Sequence, residues 1–270
     1  MTTEPIFIQV GELADGFTPL SNKLDTVNLL TNISYKFYFD NNTEVTCQFI
    51  SDTQLMWGEM GLVSYRATMI RDGIFFVDFI HPAKTAASIS LILDSAHNQV
   101  TVVEGMLPNE QQTHLDAFSR VTLGLELTGV TVSIYHGTVN NPYSPENITH
   151  AVTDELVGLR NIYSYSKTER YEHVYLNESF YAWQCLEGVE KGLADVDRCH
   201  YLKITEQIYL FIWREKIIPT LGVVMIDLQQ KRTDGKIFGY RDATFSVLSN
   251  FPMGAHADIL NRTVYPTGQE

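Results

Sequence analysis

The sequence predicts a mainly β protein made of two antiparallel β-barrels in tandem, related by an internal duplication. Three observations support this prediction. Apolar and polar residues alternate along most of the chain, and turn-forming residues recur about every ten residues. Three blocks of the first half also return in the same order about 130 residues later. Barrel closure is expected because an open sheet of many strands leaves unpaired edges.

Period-two alternation is clearest near the start of the chain. Val45, Cys47 and Phe49 share one face of a predicted strand, because successive side chains of a strand point to opposite faces. The preceding residues, Asp40 to Asn42, have the composition of a turn. The segment from Ile33 to Ile50 is therefore predicted to form a β-hairpin.

The repeat consists of three pairs of matching segments. They are Asn32–Tyr35 with Asn161–Tyr165, Trp57–Glu59 with Trp183 and the later Glu187-Gly188, and Ile74–His81 with Ile208–Glu215. A single match would be expected by chance, since antiparallel strands resemble one another. Three matches in one order favour duplication, and a barrel of about eight strands has room for side chains or one small ligand.

Helical periodicity is weak in this sequence. The best candidate for a helix is Asn109 to Val121. The segment from Asn140 to Asn147 contains two prolines and several turn formers, which is typical of a linker. The predicted domains are therefore residues 1–139 and 148–270.

The composition limits the partners that the protein can have. Hydrophobic residues make up 44% of the 270 residues, enough for buried cores, and the net charge of −13 disfavours nucleic acid and anionic membranes. No export signal or membrane-spanning apolar segment is predicted. Three cysteines, an odd and sparse number, favour the cytoplasm. We expect a small-molecule ligand, and the sequence is compatible with a homodimer.

Glu215 is the principal candidate for a catalytic residue. If the aromatic face of its strand points inward, desolvation in an apolar cavity would raise the pKa of Glu215 and make it an acid at neutral pH. In the alternative interpretation, Glu215 pairs with Arg214 or Lys216 at the rim of the barrel. Alternation places these ligand-binding candidates on the face of Glu215: Tyr209, Phe211 and Trp213.

Other candidate site residues lie on neighbouring strands. Tyr163 and Tyr165 share a face, so two phenols could hold a carboxylate or carbonyl oxygen, or could simply pack in the core. Tyr181 and Trp183 form a second pair on one face. His81 occupies the place in the first copy that Glu215 has in the second, and could move a proton or serve as a core or rim histidine.

Metal and nucleotide cofactors are not predicted. Cys185, Cys199 and His200 are near one another in sequence, but their spacing is not that of a zinc site. The sequence has no GxGxxG or Walker-type loop and no GxSxG elbow. Buried free cysteines and a site without cofactors are therefore expected.

Several motifs of the second half are similar to those of the molybdenum cofactor biosynthesis protein F (MoaF) family. The resemblance extends over nearly the whole chain and implies calycin-type (lipocalin-like) barrels, one N-terminal and one C-terminal. No phosphate-cradling loop for a pterin is present. The motifs that carry the resemblance are Tyr181–Gly188, Gly192–Asp197, Trp213–Lys216 and Lys236–Tyr240.

Each half also resembles, more distantly, the bacterial phenolic acid decarboxylases. Tyr163-Ser164-Tyr165 matches their Tyr-x-Tyr strand, and Trp213-Arg214-Glu215 matches the segment with their acidic proton donor. The resemblance implies that the two tyrosines hold the substrate and that Glu215 donates the proton. The arginine strand of that family has no clear counterpart in the strand of Trp183, and the first copy has His81-Pro82 in place of Glu-Pro.

These features leave more than one functional class open. The first hypothesis is a lyase or isomerase that acts by proton transfer on a small aromatic or unsaturated acid or carbonyl compound. The second is a non-catalytic carrier or sensor of a small apolar ligand, and a third is a barrel that directs a cyclisation. The combination of Tyr163, Tyr165 and Glu215 favours chemistry over carriage.

Overall fold

The structure, a computed structural model, describes residues 6–17 and 21–266. The chain divides into two compact units. Leu24–Pro108 and Val130–Ala151 form the first barrel. The second barrel takes the described residues of Met1–Lys23, Asn109–Gly129 and Val152–Glu270. The predicted domain boundaries remain a prediction. The second barrel also contains residues of two segments that precede its strands in the chain, 6–23 and 109–129.

The first barrel is formed by nine short strands. They are β1 (Ser34–Phe39), β2 (Glu44–Phe49), β3 (Gln54–Trp57), β4 (Leu62–Ser64), β5 (Arg66–Arg71), β6 (Ile74–Ile80), β7 (Ala87–Asp94), β8 (Gln99–Met106) and β9 (Thr131–Val139). Their order in the sheet is β4-β3-β2-β1-β9-β8-β7-β6-β5. Because β4 and β5 are separated only by Tyr65, one bent segment pairs with β3 at one end and with β6 at the other, which closes the barrel.

The second barrel has the same arrangement. Its strands are β10 (Ala151–Val152), β11 (Leu159–Ser164), β12 (Arg170–Tyr175), β13 (Phe180–Glu187), β14 (Ala194–Thr205), β15 (Ile208–Arg214), β16 (Thr220–Asp227), β17 (Arg232–Tyr240) and β18 (Leu248–Arg262). The order is β10-β14-β13-β12-β11-β18-β17-β16-β15, and a further pairing of β14 with β15 closes the sheet. All of the ladders with a described register are antiparallel.

The two strand orders confirm the predicted pair of related β-barrels. Strand β6 lies between β5 and β7, and β15 lies between β14 and β16, so the segments Ile74–His81 and Ile208–Glu215 form equivalent strands. In both barrels alternate residues of the strands face a hydrophobic core. The segments Asn32–Tyr35 and Asn161–Tyr165 belong to the equivalent strands β1 and β11. Their residues do not occupy equivalent positions, because Phe39 and not Tyr35 corresponds to Tyr165.

The helices differ from the prediction. The candidate at 109–121 is two short helices, α2 (Glu110–Thr113) and α3 (Ala117–Thr122), because Asp116 caps a new helix and accepts a hydrogen bond from the Ser119 amide. Helix α1 (Val10–Phe17) was not predicted and packs on the second barrel. Within the described ranges, no helix has the length and apolarity needed to cross a membrane.

Candidate functional site

Glu215 follows the last residue of β15, on the inner face of the second barrel. It shares this face with Phe211 and Trp213, which are buried in the core. The side chain of Arg214 takes the opposite direction, and its Nη1 donates to Glu126 Oε2 at 2.6 Å. The strand end is fixed because the Glu215 amide donates to the carbonyl of Thr220 at 2.9 Å.

The carboxyl group of Glu215 lies deep in the barrel, although the residue as a whole keeps some accessible surface. Its Oε1 accepts a hydrogen bond of 2.9 Å from Trp213 Nε1. Desolvation raises the pKa of Glu215 well above its ordinary value, and the negative charges of Asp197 and Glu190 raise it further. Both effects favour the protonated form of Glu215.

Asp197 is a second carboxyl group close to Glu215. It lies on β14, and its Oδ2 accepts from Trp183 Nε1 at 2.9 Å. Its Oδ1 accepts from the backbone amide of Lys216 at 3.2 Å. Burial raises the pKa of Asp197, while the Trp183 hydrogen bond and the Lys216 charge oppose that rise. The indoles of Trp183 and Trp213 thus each orient one carboxyl group.

Glu190 is a third buried carboxyl group, on the turn between β13 and β14. Its Oε2 accepts from the Tyr171 hydroxyl at 3.1 Å. Burial raises the pKa of Glu190 to about 7, against a lowering effect of that hydrogen bond, and nearby Glu169 raises it slightly further. Glu190 is thus divided between its acid and base forms at neutral pH.

Glu190 and Glu215 both line a cavity of about 30 Å³, whereas Asp197 lies outside its wall. The cavity holds on the order of two water molecules. Helix α1 contributes Leu13 and Phe17 to its wall, and the rest of the wall comes from the barrel. The lining residues are Leu13, Phe17, Tyr165, Tyr171, His173, Tyr181, Trp183, Glu190, Trp213, Glu215, Ile237 and Met253.

His173 lies on β12 between the aromatic side chains of the cavity. Its ring centre is 4.8 Å from that of Tyr163 and 5.2 Å from that of Tyr181. Burial lowers the pKa of His173 to about 3, so the imidazole is neutral. Its Nδ1 has no hydrogen-bond partner among the residues that the structure describes.

Comparison with known proteins identifies the family. Residues 150–263 match the MoaF C-terminal domain, and residues 5–109 match the MoaF N-terminal domain. The chain belongs to the MoaF family. Protein MoaF of Klebsiella aerogenes is 49% identical over 266 residues, which cover 97% of this chain and 98% of that protein.

A solved structure also resembles part of this MoaF family member. It is titled as a putative beta-lactamase from Burkholderia vietnamiensis. The match has 10% identity and a TM-score of 0.34, and covers 39% of this chain and 95% of that chain. A likeness at this level says nothing about the activity of the MoaF chain.

Five of the predicted site residues line the cavity of this MoaF family member. They are Tyr165, Tyr181, Trp183, Trp213 and Glu215. Their assembly follows from the alternation on three strands and on the segments that continue them.

Tyr163 lies in the same core but does not line the cavity. Its hydroxyl is 2.7 Å from the Tyr175 hydroxyl and accepts from Asn161 Nδ2 at 3.0 Å. The structure therefore separates the two predicted phenols: the cavity contains Tyr165, whereas Tyr163 joins a hydrogen-bonded group beside it. Direct contact of Tyr163 with a ligand stays a prediction.

Two other predicted ligand-binding residues are also outside the cavity wall. Phe211 stacks on Trp213, with ring centres 5.2 Å apart. The Tyr209 hydroxyl donates to Glu155 Oε2 at 2.5 Å. Both residues support the inner face of β15, and the ligand contacts predicted for them remain a prediction.

His81 belongs to the first barrel. Its Nδ1 accepts hydrogen bonds of 3.1 Å from the amides of Ala83 and Lys84. Burial lowers the pKa of His81, which keeps its Nδ1 available as an acceptor. The imidazole thus organises the turn after β6, and the predicted ligand contact of His81 remains a prediction.

Sequence reasoning did not identify Glu190, Asp197 or His173 as site residues. A signal was present for two of them. Asp197 alternates with Cys199 on β14, and His173 lies between Tyr171 and other aromatic residues in a period-two pattern. Glu190 has no such signal, because the direction of a turn side chain depends on tertiary packing.

The described part of the chain contains no recognisable metal-binding site. No group of three or more His, Cys, Asp or Glu side chains there is arranged to hold a metal ion. The three cysteines are free and buried. Burial raises the pKa of both Cys185 and Cys199, to about 11 and about 12.

Proposed function

We propose that the second barrel is an isomerase-type site, which moves a proton on a small unsaturated or carbonyl compound. Glu215 is the acid and Glu190 is the base. The observation that carries the proposal is the presence of both carboxyl groups in the wall of one cavity. A pair of carboxyl groups whose pKa values differ can supply a proton at one atom and remove one at another.

The protonation states of the two groups suit these roles. Burial and the charge of Asp197 keep the proton on Glu215, whereas Glu190, with a pKa of about 7, is partly ionised at neutral pH. The ionised Glu190 takes a proton from the substrate, and Glu215 donates its own proton to a second atom. Net proton transfer is zero, so the product is a tautomer or isomer of the substrate.

The remaining polar side chains of the cavity suit the binding of an oxygen atom. Tyr165 and Tyr181 line the wall together with Glu215. Burial raises the pKa of both phenols, so their hydroxyl groups keep their protons and can donate hydrogen bonds. Such donors stabilise negative charge that develops on a carbonyl oxygen during proton removal.

An isomerase is favoured over a decarboxylase by the charge of the cavity. A decarboxylase must hold the carboxylate of its substrate, for which arginine is the usual partner. The described wall of the cavity contains neither arginine nor lysine. An unpaired substrate carboxylate in this cavity would be desolvated, and the ionised Glu190 would repel it.

Solvent-exchange NMR tests this proposal. In D₂O, the protein should speed deuterium incorporation at the α-carbon of 1-phenylpropan-2-one above the rate in buffer. Glu215→Gln and Glu190→Gln should each lose about two or more orders of magnitude of that rate. Glu187→Gln, which changes an exposed carboxyl group at the end of β13, serves as the control and should exchange at the full rate.

Two results would contradict the proposed acid–base role. Exchange at the wild-type rate in Glu215→Gln would remove Glu215 from the chemistry. Binding of the ketone without any exchange above buffer would instead indicate a carrier or sensor.

The proposed location of this activity is the cytoplasm. All three cysteines are free and buried, which fits a reducing compartment. Fractionation of the source cells with an antibody against the protein would test the location.

A further inference from the structure

Carboxyl groups are the source of negative charge in the cavity wall of the second barrel. Apart from three tyrosines, its ionisable wall residues are Glu190, Glu215 and the neutral His173. Asp197, which interacts with Glu215 from outside the wall, is paired with Lys216 Nζ at 3.4 Å. Neither lysine nor arginine belongs to the described wall. A cationic ligand group would gain from this environment, whereas an anion would be repelled in a region of low dielectric constant.

The wall is also rich in aromatic side chains, which we call the aromatic cage. The faces of such rings attract cations, most strongly when the cation has been removed from water. The hydroxyl groups of three tyrosines add polar edges to the cage. The cage consists of Tyr165, Tyr171, Tyr181, Trp183 and Trp213.

His173 provides independent evidence for a ligand with hydrogen-bond donors. It lies in the cavity wall, only 5% of its surface is exposed, and its Nδ1 has no partner in the described part of the protein. Burying an unsatisfied polar atom costs free energy, so such atoms are uncommon in folded proteins. A neutral imidazole nitrogen can accept a hydrogen bond from an N–H group.

Phe17 indicates where an aromatic ring fits. Its ring centre is 4.8 Å from that of Tyr165, 5.8 Å from that of Tyr171 and 5.8 Å from that of Phe251. The Phe17 side chain comes from α1 and not from a barrel strand, so it can leave without breaking the sheet. Because the remaining cavity is only about 30 Å³, a ligand ring must take the place of Phe17.

From these observations we infer that the ligand of the second barrel is a small aromatic amine, held as its ammonium ion. Its ring replaces Phe17 among the tyrosines, and its ammonium group lies near Glu190 and Glu215. This inference rests on the proposed function, since it names the substrate class of the same site: the compound carries an amine beside its reactive group.

The affinity of the second barrel for such an amine should depend on pH. Glu190 faces the Tyr171 hydroxyl, the Cys185 thiol, the Glu169 carboxyl and the Glu215 carboxyl. An ammonium ion stabilises the ionised form of Glu190, so binding should strengthen as the pH rises from 6 to 8 and should release a proton.

The test compares three probes of matched size and different charge. Benzylamine, benzyl alcohol and benzoate are titrated into the protein at pH 8 by isothermal calorimetry. Benzylamine should bind about tenfold or more tightly than benzyl alcohol, the scale of a desolvated cation–π contact, and benzoate should bind most weakly. Glu190→Gln should reduce the preference for benzylamine, whereas the exposed control Glu187→Gln should not.

Variants of Phe17 test the position of the ring. Phe17→Ala empties the ring site and should strengthen benzylamine binding. Phe17→Leu, a milder change, provides the same comparison if the alanine variant does not fold. An unchanged affinity in the folded variant would overturn the assignment of the ring position.

The results also separate this inference from the proposed function. Benzyl alcohol or benzoate binding as tightly as benzylamine, or no binding of any probe to the wild type or the Phe17 variants, would overturn the amine assignment. Calorimetry requires no turnover. A clear preference for benzylamine together with undiminished proton exchange in Glu215→Gln would therefore leave the ligand class standing and refute only the acid–base role.

Discussion

The two barrels have the same strand order but different interiors. Phe39 and Tyr165 occupy equivalent places, because each amide donates across a hairpin turn to the residue four positions later. Two residues earlier on the same strands, Phe37 corresponds to Tyr163. The second barrel thus has phenols where the first barrel has phenyl rings.

The next strands show the same difference. Cys47 pairs with Trp57 in the first barrel, and His173 pairs with Trp183 in the second. The tryptophan is common to both barrels, and its neighbour is a small thiol in one and, in the other, an imidazole whose Nδ1 has no partner among the described residues. Polar groups in a core cost stability unless they are paired, and this difference between the barrels is the reason for placing the proposed site in the second one.

The largest expected effect on stability comes from giving one position of the second barrel the residue type that the first barrel has at the equivalent position. Gly222 lies opposite Trp213, whereas Ile89 lies opposite Phe79 in the first barrel. A Cβ atom at position 222 would come within 2.1 Å of the Trp213 indole. We expect Gly222→Ile to lower the free energy of unfolding by about 4 kcal/mol, since the new side chain would overlap the Trp213 indole.

Urea unfolding followed by tryptophan fluorescence measures this loss. The control is Ile89→Val in the first barrel, which removes one methylene and should cost about 1 kcal/mol. Equal stability of Gly222→Ile and the wild type would show that the packing of Trp213 is not what distinguishes the barrels.

The pH dependence of the second barrel provides the next comparison. Burial raises the pKa of Glu190 to about 7 in the folded protein, against 4.5 for an ordinary glutamate. Neutral Glu190 makes its full contribution to the free energy of unfolding below about pH 4.5. This contribution is lost as the pH rises through 7, and the free energy of unfolding falls by about 3 kcal/mol. Glu190→Gln should abolish the fall in the free energy of unfolding that ionisation of Glu190 causes, and should keep the hydrogen bond from Tyr171.

Hydrogen exchange of the β12 and β13 amides between pH 4.5 and 7.5, corrected for intrinsic rates, measures this effect. Glu178→Gln, an exposed change in the same barrel, should leave the profile unaltered. Parallel profiles for Glu190→Gln and the wild type would contradict a buried, destabilised carboxylate.

The first barrel should respond to acid in the opposite direction. His150 is buried there, and its Nδ1 is 2.9 Å from Thr101 Oγ1. Burial lowers its pKa to about 4, with Asp94 raising it and His136 and His97 lowering it further. Neutral His150 makes its full contribution to the free energy of unfolding above pH 6.5. This contribution is lost as the pH falls through 4, and the loss is about 3 kcal/mol at most.

His150→Gln should therefore flatten the acid side of the stability profile of the first barrel. Amide exchange in β8, which carries Thr101, measures the change, and β15 of the second barrel is the internal reference. Loss of protection in His150→Gln that is as steep as in the wild type below pH 6 would show that His150 is not the group that titrates.

The fold was accessible from sequence because its signals are local. Alternation and the repeated Ile74 and Ile208 segments are sufficient to place equivalent strands. Helix α1 was missed although Val10, Leu13 and Phe17 have helical spacing, because glycines in its short sequence weaken the helical signal.

The site was only partly accessible for a different reason. Alternation correctly gives the face of Tyr165 and Glu215, since it depends on neighbouring residues alone. It cannot show that the Tyr163 hydroxyl meets Tyr175 across a hairpin, or that Glu190 turns from its loop into the barrel. Those facts depend on tertiary packing.

The smallest expected effect concerns His173, the counterpart of Cys47. Its buried Nδ1 has no partner in the described structure, so its replacement by an apolar ring should not cost a hydrogen bond at that atom. We expect His173→Phe to be as stable as the wild type at pH 7 or more stable by about 1 kcal/mol. The advantage should grow below pH 6.5, because burial lowers the pKa of His173 to about 3 and acid then favours the unfolded chain.

Tyr163→Phe is the matched control for this prediction. It removes a hydroxyl that is joined to both Tyr175 and Asn161, and should lower stability by about 1.5 kcal/mol. Urea unfolding at pH 7 and pH 5.5 compares the two variants. A loss in His173→Phe as large as that in Tyr163→Phe would mean that His173 stabilises the barrel, and the unpaired imidazole would then no longer argue for a ligand. If His173→Phe is stable but binds benzylamine more weakly than the wild type, His173 is retained at a cost in stability because it contacts the ligand.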